Sequence, residues 1–235
     1  KYRNNRFIDN IAWYGSGLLS WEHAYITDIH SLYDTNKGIV KARGAGIRII
    51  GAESYTAINC TFQNNKAVFG AGLDLVEIKT AQIIGSYFNR NEAKDGAALS
   101  ADHASDIIIK SCIFDNNHAN NFGAGICIKQ CDIIQIKNTK FDKNIATKGA
   151  GVYYYKVTKS SDVHNVYRQN QGKYGGGIYI QQGMMLRKIH SQFFENRAES
   201  GAAIYLMNMK NATIISSYLY GNNASDTGGA VYTDM

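Results

Sequence analysis

Nine copies of one short motif, spaced almost evenly, constrain this chain more than any other feature. In each copy an aromatic or apolar residue is followed three positions later by asparagine, and two positions after that by alanine or glycine. The leading residues are Phe7, Tyr33, Phe62, Phe88, Phe114, Phe141, Tyr167, Phe193 and Leu219; the asparagines are Asn10, Asn36, Asn65, Asn91, Asn117, Asn144, Asn170, Asn196 and Asn222. Successive asparagines are separated by 26, 29, 26, 26, 27, 26, 26 and 26 residues. A period of this length is typical of a solenoid, in which each repeat buries its apolar face only against its neighbours.

The apolar residues within each repeat follow strand periodicity. Short alternating runs, such as 177–180 and 203–206, place every second side chain on one face. Continuous runs, such as 107–109, suit strands of a parallel sheet. Helical repeats are longer and show apolar spacings of three and four. The sequence therefore predicts an all-β fold: a single right-handed parallel β-helix solenoid of about nine coils, with roughly 26 residues per coil.

Each column of the repeat has a structural role in such a solenoid. We expect the aromatic leaders to point inward and stack along the axis. We expect the nine asparagines to lie at a bend, where asparagine tolerates left-handed backbone, and to pass amide hydrogen bonds from coil to coil as a ladder. A glycine-rich corner follows each asparagine, as at Gly175 and Gly228, and supplies positive φ before the next strand.

The combined motif also resembles a known family of repeats. It stands as Phe88-Asn89-Arg90-Asn91 with Gly96-Ala97-Ala98-Leu99, and as Leu219-Tyr220-Gly221-Asn222 with Gly228-Gly229-Ala230-Val231. These segments are similar to the repeats of the chlamydial polymorphic outer-membrane proteins and of other pectin-lyase-like β-helix proteins. The resemblance covers residues 7 to 232. It implies a surface-exposed, adhesive solenoid and an extracellular or cell-surface location.

Bulk properties limit the other functions of the chain. No linker or charge block interrupts residues 1–235, so we expect one domain. Neither end carries the polar cap of a terminal repeat, which predicts a piece of a longer solenoid. The net charge is +6, but the lysines and arginines are scattered along the chain and form no basic stripe. We therefore expect no nucleic-acid partner. No apolar span of transmembrane length occurs, so we expect no direct membrane insertion by this segment.

The four cysteines do not form a recognisable metal or disulfide framework. Cys60 and Cys112 occupy a slot two residues before the aromatic leader and should be small inward side chains. Cys127 and Cys131 lie in one coil, which leaves a local disulfide open. No CxxC pattern or close histidine pair accompanies them, so neither a metal nor a cofactor is expected. Free cysteines are compatible with a reducing compartment.

Three sequons point instead towards secretion. Asn59, Asn211 and Asn223 each begin an Asn-x-Ser/Thr triplet, although such matches arise by chance in an asparagine-rich chain.

One outward column is rich in tyrosine. Tyr153, Tyr179, Tyr205 and Tyr232 recur at the same phase in four consecutive repeats. Exposed aromatic rings in a row would form a platform for sugar rings or for a partner protein. The alternative is that tyrosine is simply a favourable cross-strand residue on a half-exposed sheet.

A carbohydrate-active enzyme on this fold would need carboxylates that converge on one outer face. Asp74 and Asp102, the latter beside His103, are the only acidic pair that the register brings near one face. Scattered surface carboxylates would explain them equally, and we assign no catalytic residue. The sequence favours a non-catalytic, structural or adhesive scaffold that docks other proteins or further coils. A polysaccharide lyase or hydrolase, or a carbohydrate-binding module, is the alternative.

Overall fold

The computed structural model describes residues 1–22 and 25–234 and consists of short parallel strands wound into a solenoid. In chain order the strands are β1 (Tyr2–Arg3), β2 (Arg6–Ile8), β3 (Ile11–Tyr14), β4 (Leu18–Trp21), β5 (Tyr25–Ile29), β6 (Leu32–Asp34), β7 (Lys37–Arg43), β8 (Ile47–Ile50), β9 (Ser54–Ile58), β10 (Thr61–Gln63), β11 (Leu73–Ile84), β12 (Tyr87–Asn89), β13 (Glu92–Asp95), β14 (Leu99–Lys110), β15 (Ile113–Asp115), β16 (His118–Phe122), β17 (Ile126–Lys137), β18 (Lys140–Asp142), β19 (Val152–Val163), β20 (Val166–Arg168), β21 (Ile178–Gln181), β22 (Met185–Ile189), β23 (Gln192–Phe194), β24 (Arg197–Ser200), β25 (Ile204–Met207), β26 (Asn211–Ile215), β27 (Tyr218–Tyr220), β28 (Asn223–Thr227) and β29 (Val231–Asp234). The expected all-β solenoid of about nine coils is confirmed. No helix in the described part of the chain is long and apolar enough to cross a membrane.

Each coil contributes to three faces. The largest face is a 14-stranded sheet that includes the long strands β11, β14, β17 and β19. The second is a nine-stranded sheet that begins at β2 and ends at β27. The third face consists of the pairs β3–β7, β13–β16 and β24–β28, and single bridges at positions such as Ile145 and Gln171 join these pairs into one surface. All pairings of the described strands are parallel, and they stay in register from coil to coil apart from a local shift in each short-strand pair of the third face. Nearly every sequence column therefore becomes a column in space.

Left-handed residues turn the chain at four corners in each coil. In one coil they are Asn116, Gly123, Gln130 and Asn138. The residue before the ladder asparagine carries the positive φ, so our expectation that the ladder asparagine itself is left-handed is wrong. Only one corner requires glycine, because a Cβ at Gly123 would lie 2.2 Å from the carbonyl oxygen of Ile126. At the other corners the side chain points into open space, and residues other than glycine accept the strain.

The core contains the expected aromatic column. Rings from Phe7 to Phe193 stack face to face, with centroids 4.6 to 5.0 Å apart. This spacing matches the separation of neighbouring strands, because each coil supplies one ring. Aliphatic side chains of the large sheet, such as Leu99 and Ile126, pack against the rings and are fully buried.

The asparagine ladder is present along the whole rod. Asn144 illustrates one rung: its Nδ2 donates to Asn170 Oδ1 at 3.0 Å and to the Phe114 carbonyl oxygen at 2.9 Å. Its Oδ1 accepts hydrogen bonds from both the backbone nitrogen and the Nδ2 of Asn117. The rungs between Asn36 and Asn196 are almost entirely buried. Each asparagine thus satisfies backbone groups at a bend that no sheet could pair.

Two positions of the aromatic column hold tyrosine instead of phenylalanine, and both have an aspartate five residues earlier. Tyr33 donates to Asp28 Oδ2 at 2.9 Å, and Tyr167 donates to Asp162 Oδ2 at 3.3 Å. Before the phenylalanine of the next coil the same slot holds Ala57. The acid therefore accompanies the hydroxyl, because a buried hydroxyl needs an acceptor. Burial raises the pKa of Asp28, while the bond from Tyr33 opposes this effect.

This pairing predicts an energetic coupling. Tyr33→Phe alone should lower the free energy of unfolding by roughly 1–2 kcal/mol, since the buried carboxyl of Asp28 loses its donor. Asp28→Ala alone should cost a similar amount, because the hydroxyl loses its acceptor. The double variant recreates the Ala57–Phe62 combination and should recover most of the loss. Urea unfolding of the three variants measures the coupling, and strictly additive effects would contradict the pairing.

Candidate functional site

The richest concentration of functional groups lies outside the solenoid, beside the glycine corners. We call it the corner strip. Its first column precedes the corner and contains Tyr14, Arg43, Phe69, Asp95, Phe122, Lys148, Tyr174, Ser200 and Thr227. Its second column follows the corner and contains Leu19, Arg48, Asp74, Ser100, Cys127, Tyr153, Tyr179, Tyr205 and Tyr232. Most of the charged residues, such as Arg43, Arg48 and Asp74, lie towards the N-terminal end of the strip, and we call this end the charged half. Most of the aromatic residues, such as Tyr153 and Tyr179, lie towards the C-terminal end.

The four predicted tyrosines align in register, but they do not form an open platform. The first three rings stack on one another at 5.5 and 4.9 Å, and the ring of Tyr232 lies tilted against Tyr205 at 4.6 Å. Tyr153 is only 4% exposed and Tyr179 only 2% exposed; Tyr205 and Tyr232 are partly exposed. The expected exposure is therefore wrong for the first two. Their role in binding stays a prediction.

Side chains of the first column cover these rings. Phe122 stacks on Tyr153 at 4.7 Å, and the Lys148 ammonium lies 5.1 Å from the ring centroid of Tyr179. The Tyr179 hydroxyl donates to Met207 Sδ at 3.2 Å, and burial raises the pKa of this tyrosine to about 12. A sugar ring stacks on an open aromatic face. Here neighbouring rings occupy the faces of Tyr153 and Tyr179, so neither ring offers a free face to a sugar. This half of the strip is chiefly a row of packed aromatic side chains.

The charged half is built around Asp74, which is fully buried. Arg43 donates to both of its oxygens, at 3.0 and 3.3 Å. Arg48 Nε lies 3.3 Å from Oδ2 as an ion pair but without the alignment of a hydrogen bond. Burial raises the pKa of Asp74, and the two guanidinium groups oppose that rise. The carboxylate is thus committed to structural ion pairs.

Asp102, the other predicted acid, lies in a neighbouring outward column, in register with Val76 and Lys129. It is half-buried, and its Oδ1 contacts His103 Nδ1 at 3.0 Å. The structure therefore does not bring Asp74 and Asp102 together as an exposed pair.

Asp95 is a member of the strip that our sequence analysis missed. Its Oδ2 pairs with Lys129 Nζ at 3.2 Å, while its buried Oδ1 has no hydrogen-bond partner. Arg43 and Lys148 were also not identified as members of the strip in our sequence analysis. The signal was available, because all three stand immediately before the first glycine of their repeats.

A second concave surface lies on the third face, and we call it the short-strand groove. One section has a volume of about 430 Å³, and a further section of about 290 Å³ continues it along the rod. The walls carry Lys66, Glu92, Lys94, His118, Asn120, Ile145, Thr147, Gln171, Lys173, Arg197 and Glu199. Buried alanines such as Ala119 and Ala146 line its floor. The groove is polar, elongated and open to solvent.

The cysteines are structural. Cys60, Cys112, Cys127 and Cys131 are free and buried, so the local disulfide left open by the sequence is not formed. Burial raises the pKa of each thiol to about 12, which disfavours the reactive thiolate. Among residues 1–22 and 25–234 no group of histidine, cysteine and acidic side chains is arranged to hold a metal ion.

The sequon asparagines Asn59, Asn211 and Asn223 are exposed.

Comparison with known proteins agrees with this architecture. A family model described as a right-handed β-helix region matches residues 1–185 of the chain. None of the curated proteins and none of the solved structures matches it.

Proposed function

The chain belongs to the right-handed β-helix family, and from this premise we propose that it is a non-catalytic scaffold that presents a docking groove within a larger assembly or at a cell surface. Family membership alone does not decide between enzyme and scaffold. The proposal therefore rests on how this chain uses its own side chains.

The observation that carries the proposal is that the ladders continue without interruption from coil to coil. The asparagine ladder links every repeat to the next. The aromatic column does the same from Phe7 to Phe193. Asp74, Tyr153 and Tyr179, which the sequence analysis considered for catalysis or binding, are buried in contacts between coils. Such a rod is stiff along its axis, because bending would break several columns at once.

The short-strand groove is the surface that we assign to docking. Two of its ion pairs are internal: Lys66 to Glu92 at 2.7 Å and Lys173 to Glu199 at 3.6 Å. Within the described chain Lys94 and Arg197 form no ion pair with a carboxylate and are exposed. They are therefore available to a partner that presents carboxylates or other acceptors. The resemblance of the repeats to the chlamydial surface proteins favours an adhesive role at a cell surface.

Binding arrays test the proposal directly. The chain should bind a member of an array of extracellular-matrix proteins and glycans without altering it. Charge reversal by Lys94→Glu with Arg197→Glu should weaken that binding at least tenfold. The matched variant Asp102→Asn lies outside the groove and should leave binding unchanged. The groove assignment would be contradicted if Asp102→Asn lost binding while the charge-reversal double variant bound like the parent chain.

One observation favours the alternative, a carbohydrate-active enzyme. Asp95 keeps a buried carboxylate oxygen without a partner, and Asp102 lies half-exposed beside the same cations, Arg43 and Lys129. A pair of carboxylates in one place is what most enzymes that cleave glycosidic bonds use. The test is incubation with neutral polysaccharides and polyuronates, followed by measurement of new chain ends. Cleavage that disappears in Asp102→Asn would replace the scaffold proposal with this one.

A further inference from the structure

The least expected group in the solenoid interior is a lysine. Lys188 and Asp162 are register partners on successive coils, in the column five residues before the aromatic leaders. Both side chains are fully buried, and Lys188 Nζ contacts Asp162 Oδ2. The Tyr167 hydroxyl completes the cluster: it lies 3.3 Å from Asp162 Oδ2 and 3.4 Å from Lys188 Nζ. The neighbours of the pair along this column are Ile136 and Ile214.

The chain itself shows that this lysine is not needed to satisfy the tyrosine. Asp28 and Tyr33 form the same acid–hydroxyl pair, and Ala57 occupies the slot that corresponds to Lys188. An amine in a sealed apolar interior is costly, because an ammonium there loses its hydration. Lys188 therefore serves something other than the Asp–Tyr hydrogen bond.

We propose that Lys188 and Asp162 condense to an intramolecular isopeptide bond that covalently joins two successive coils. The Nζ lone pair attacks the carboxyl carbon Cγ of Asp162, and a C–N bond forms. One amine proton passes to the Tyr167 oxygen while the Tyr167 hydroxyl proton passes to Oδ2. In the uncharged form of Asp162, Oδ2 carries the acid proton, so it leaves as water when the C–O bond breaks. The acid and the amine thus give an amide and one water, without an oxidant or other co-reactant.

The environment favours each part of this step. Burial lowers the pKa of Lys188 well below its ordinary value, which leaves a neutral, nucleophilic amine. Burial likewise favours the uncharged form of an acid, and the uncharged form is the one that loses water. Asp162 Oδ1 has no donor, which an uncharged amide oxygen tolerates better than a carboxylate does. The hydrogen bonds already run from Lys188 to Tyr167 and from Tyr167 to Asp162, along the route that the proton must take.

Intact-mass measurement of the purified, denatured chain tests the bond. The mass should be lower than that calculated from the sequence by one water molecule. Tryptic digestion should give a branched peptide that joins residues 160–168 to residues 188–197, because an acylated lysine resists cleavage. A full sequence mass, together with two separate peptides, would overturn the proposal and leave a buried ion pair.

Two variants separate the bond from simple folding effects. Lys188→Ile places in this slot the residue found at Ile136 and Ile214, and it leaves an acid–hydroxyl pair like that of Asp28 and Tyr33. It should fold and show its full calculated mass; a loss of water that persists in this variant would overturn the assignment to Lys188.

Tyr167→Phe keeps the stacked ring and removes the hydroxyl. It should fold and form the bond at least tenfold more slowly, as followed by mass over time after refolding. Bond formation at the parent rate would overturn the proton-transfer role given to Tyr167.

Discussion

Asn144→Ala is expected to lower the free energy of unfolding by roughly 4 kcal/mol, because one truncation leaves several buried groups without partners. The Asn117 backbone nitrogen loses its acceptor, and the Phe114 carbonyl loses its donor. Each buried group left unsatisfied costs about 1–3 kcal/mol. The ladder is also broken between Asn117 and Asn170, so the loss affects both neighbouring coils.

Thermal melting followed by circular dichroism measures this effect. For a chain of this size about 1 kcal/mol shifts the melting temperature by roughly 2–4 °C, so a fall of about 10 °C is expected. Asn120→Ala is the matched control, since Asn120 lies three residues after the neighbouring ladder residue Asn117 but is exposed. Equal melting temperatures for the two variants would show that the ladder does not stabilise the rod.

The repeat fixed most of the fold in advance, because a solenoid converts sequence period directly into spatial register. The positions of Phe114 and Asn144 in their repeats were enough to assign one to the stacked core and the other to a ladder at a bend. The location of the left-handed residue was harder to predict. It falls on the residue before the asparagine, such as Lys143, and the residue types at that slot vary because its side chain points into open space.

The candidate site was less predictable than the fold. Strand alternation correctly placed Tyr153 and Tyr179 on the outer side of the sheet. Alternation predicts the face to which a side chain points, but it does not predict whether other side chains cover it there. Phe122 and Lys148 reach over the rings from the preceding corner, and that cover depends on corner geometry that a two-residue period does not encode. Asp74 was misread for the same reason, because Arg43 covers it from the preceding coil.

The interior polar residues lie between these cases. Among the nine leading residues only Tyr33 and Tyr167 have an aspartate five positions earlier, so the acid–hydroxyl pairing could be predicted from the sequence. Lys188 stands in the same slot before Phe193, so the 26-residue spacing also indicated that it would lie beside Asp162. What the sequence did not reveal was that both charged side chains would be fully buried.

Phe114→Ala should cause the largest loss of stability of any single change considered for this rod. The ring is fully buried and stacks on Phe88 at 4.7 Å and on Phe141 at 5.0 Å. Truncation of a buried phenylalanine costs about 3–5 kcal/mol, and roughly 1 kcal/mol more is lost with the stacked pairs. The cavity cannot collapse easily, because hydrogen bonds on both sides fix the spacing between coils.

Urea unfolding of Phe114→Ala against Ile113→Ala isolates this effect. Ile113 precedes Phe114 in the same strand but faces outward and is 43% exposed, so its truncation should cost less than about 1 kcal/mol. Phe114→Leu should fall between the two, since Leu219 already occupies this column and keeps apolar volume without a ring. If Phe114→Leu unfolds like the parent chain, apolar volume alone maintains the column and ring stacking adds nothing. If it unfolds like Phe114→Ala, the continuous aromatic stack is what holds successive coils at their spacing.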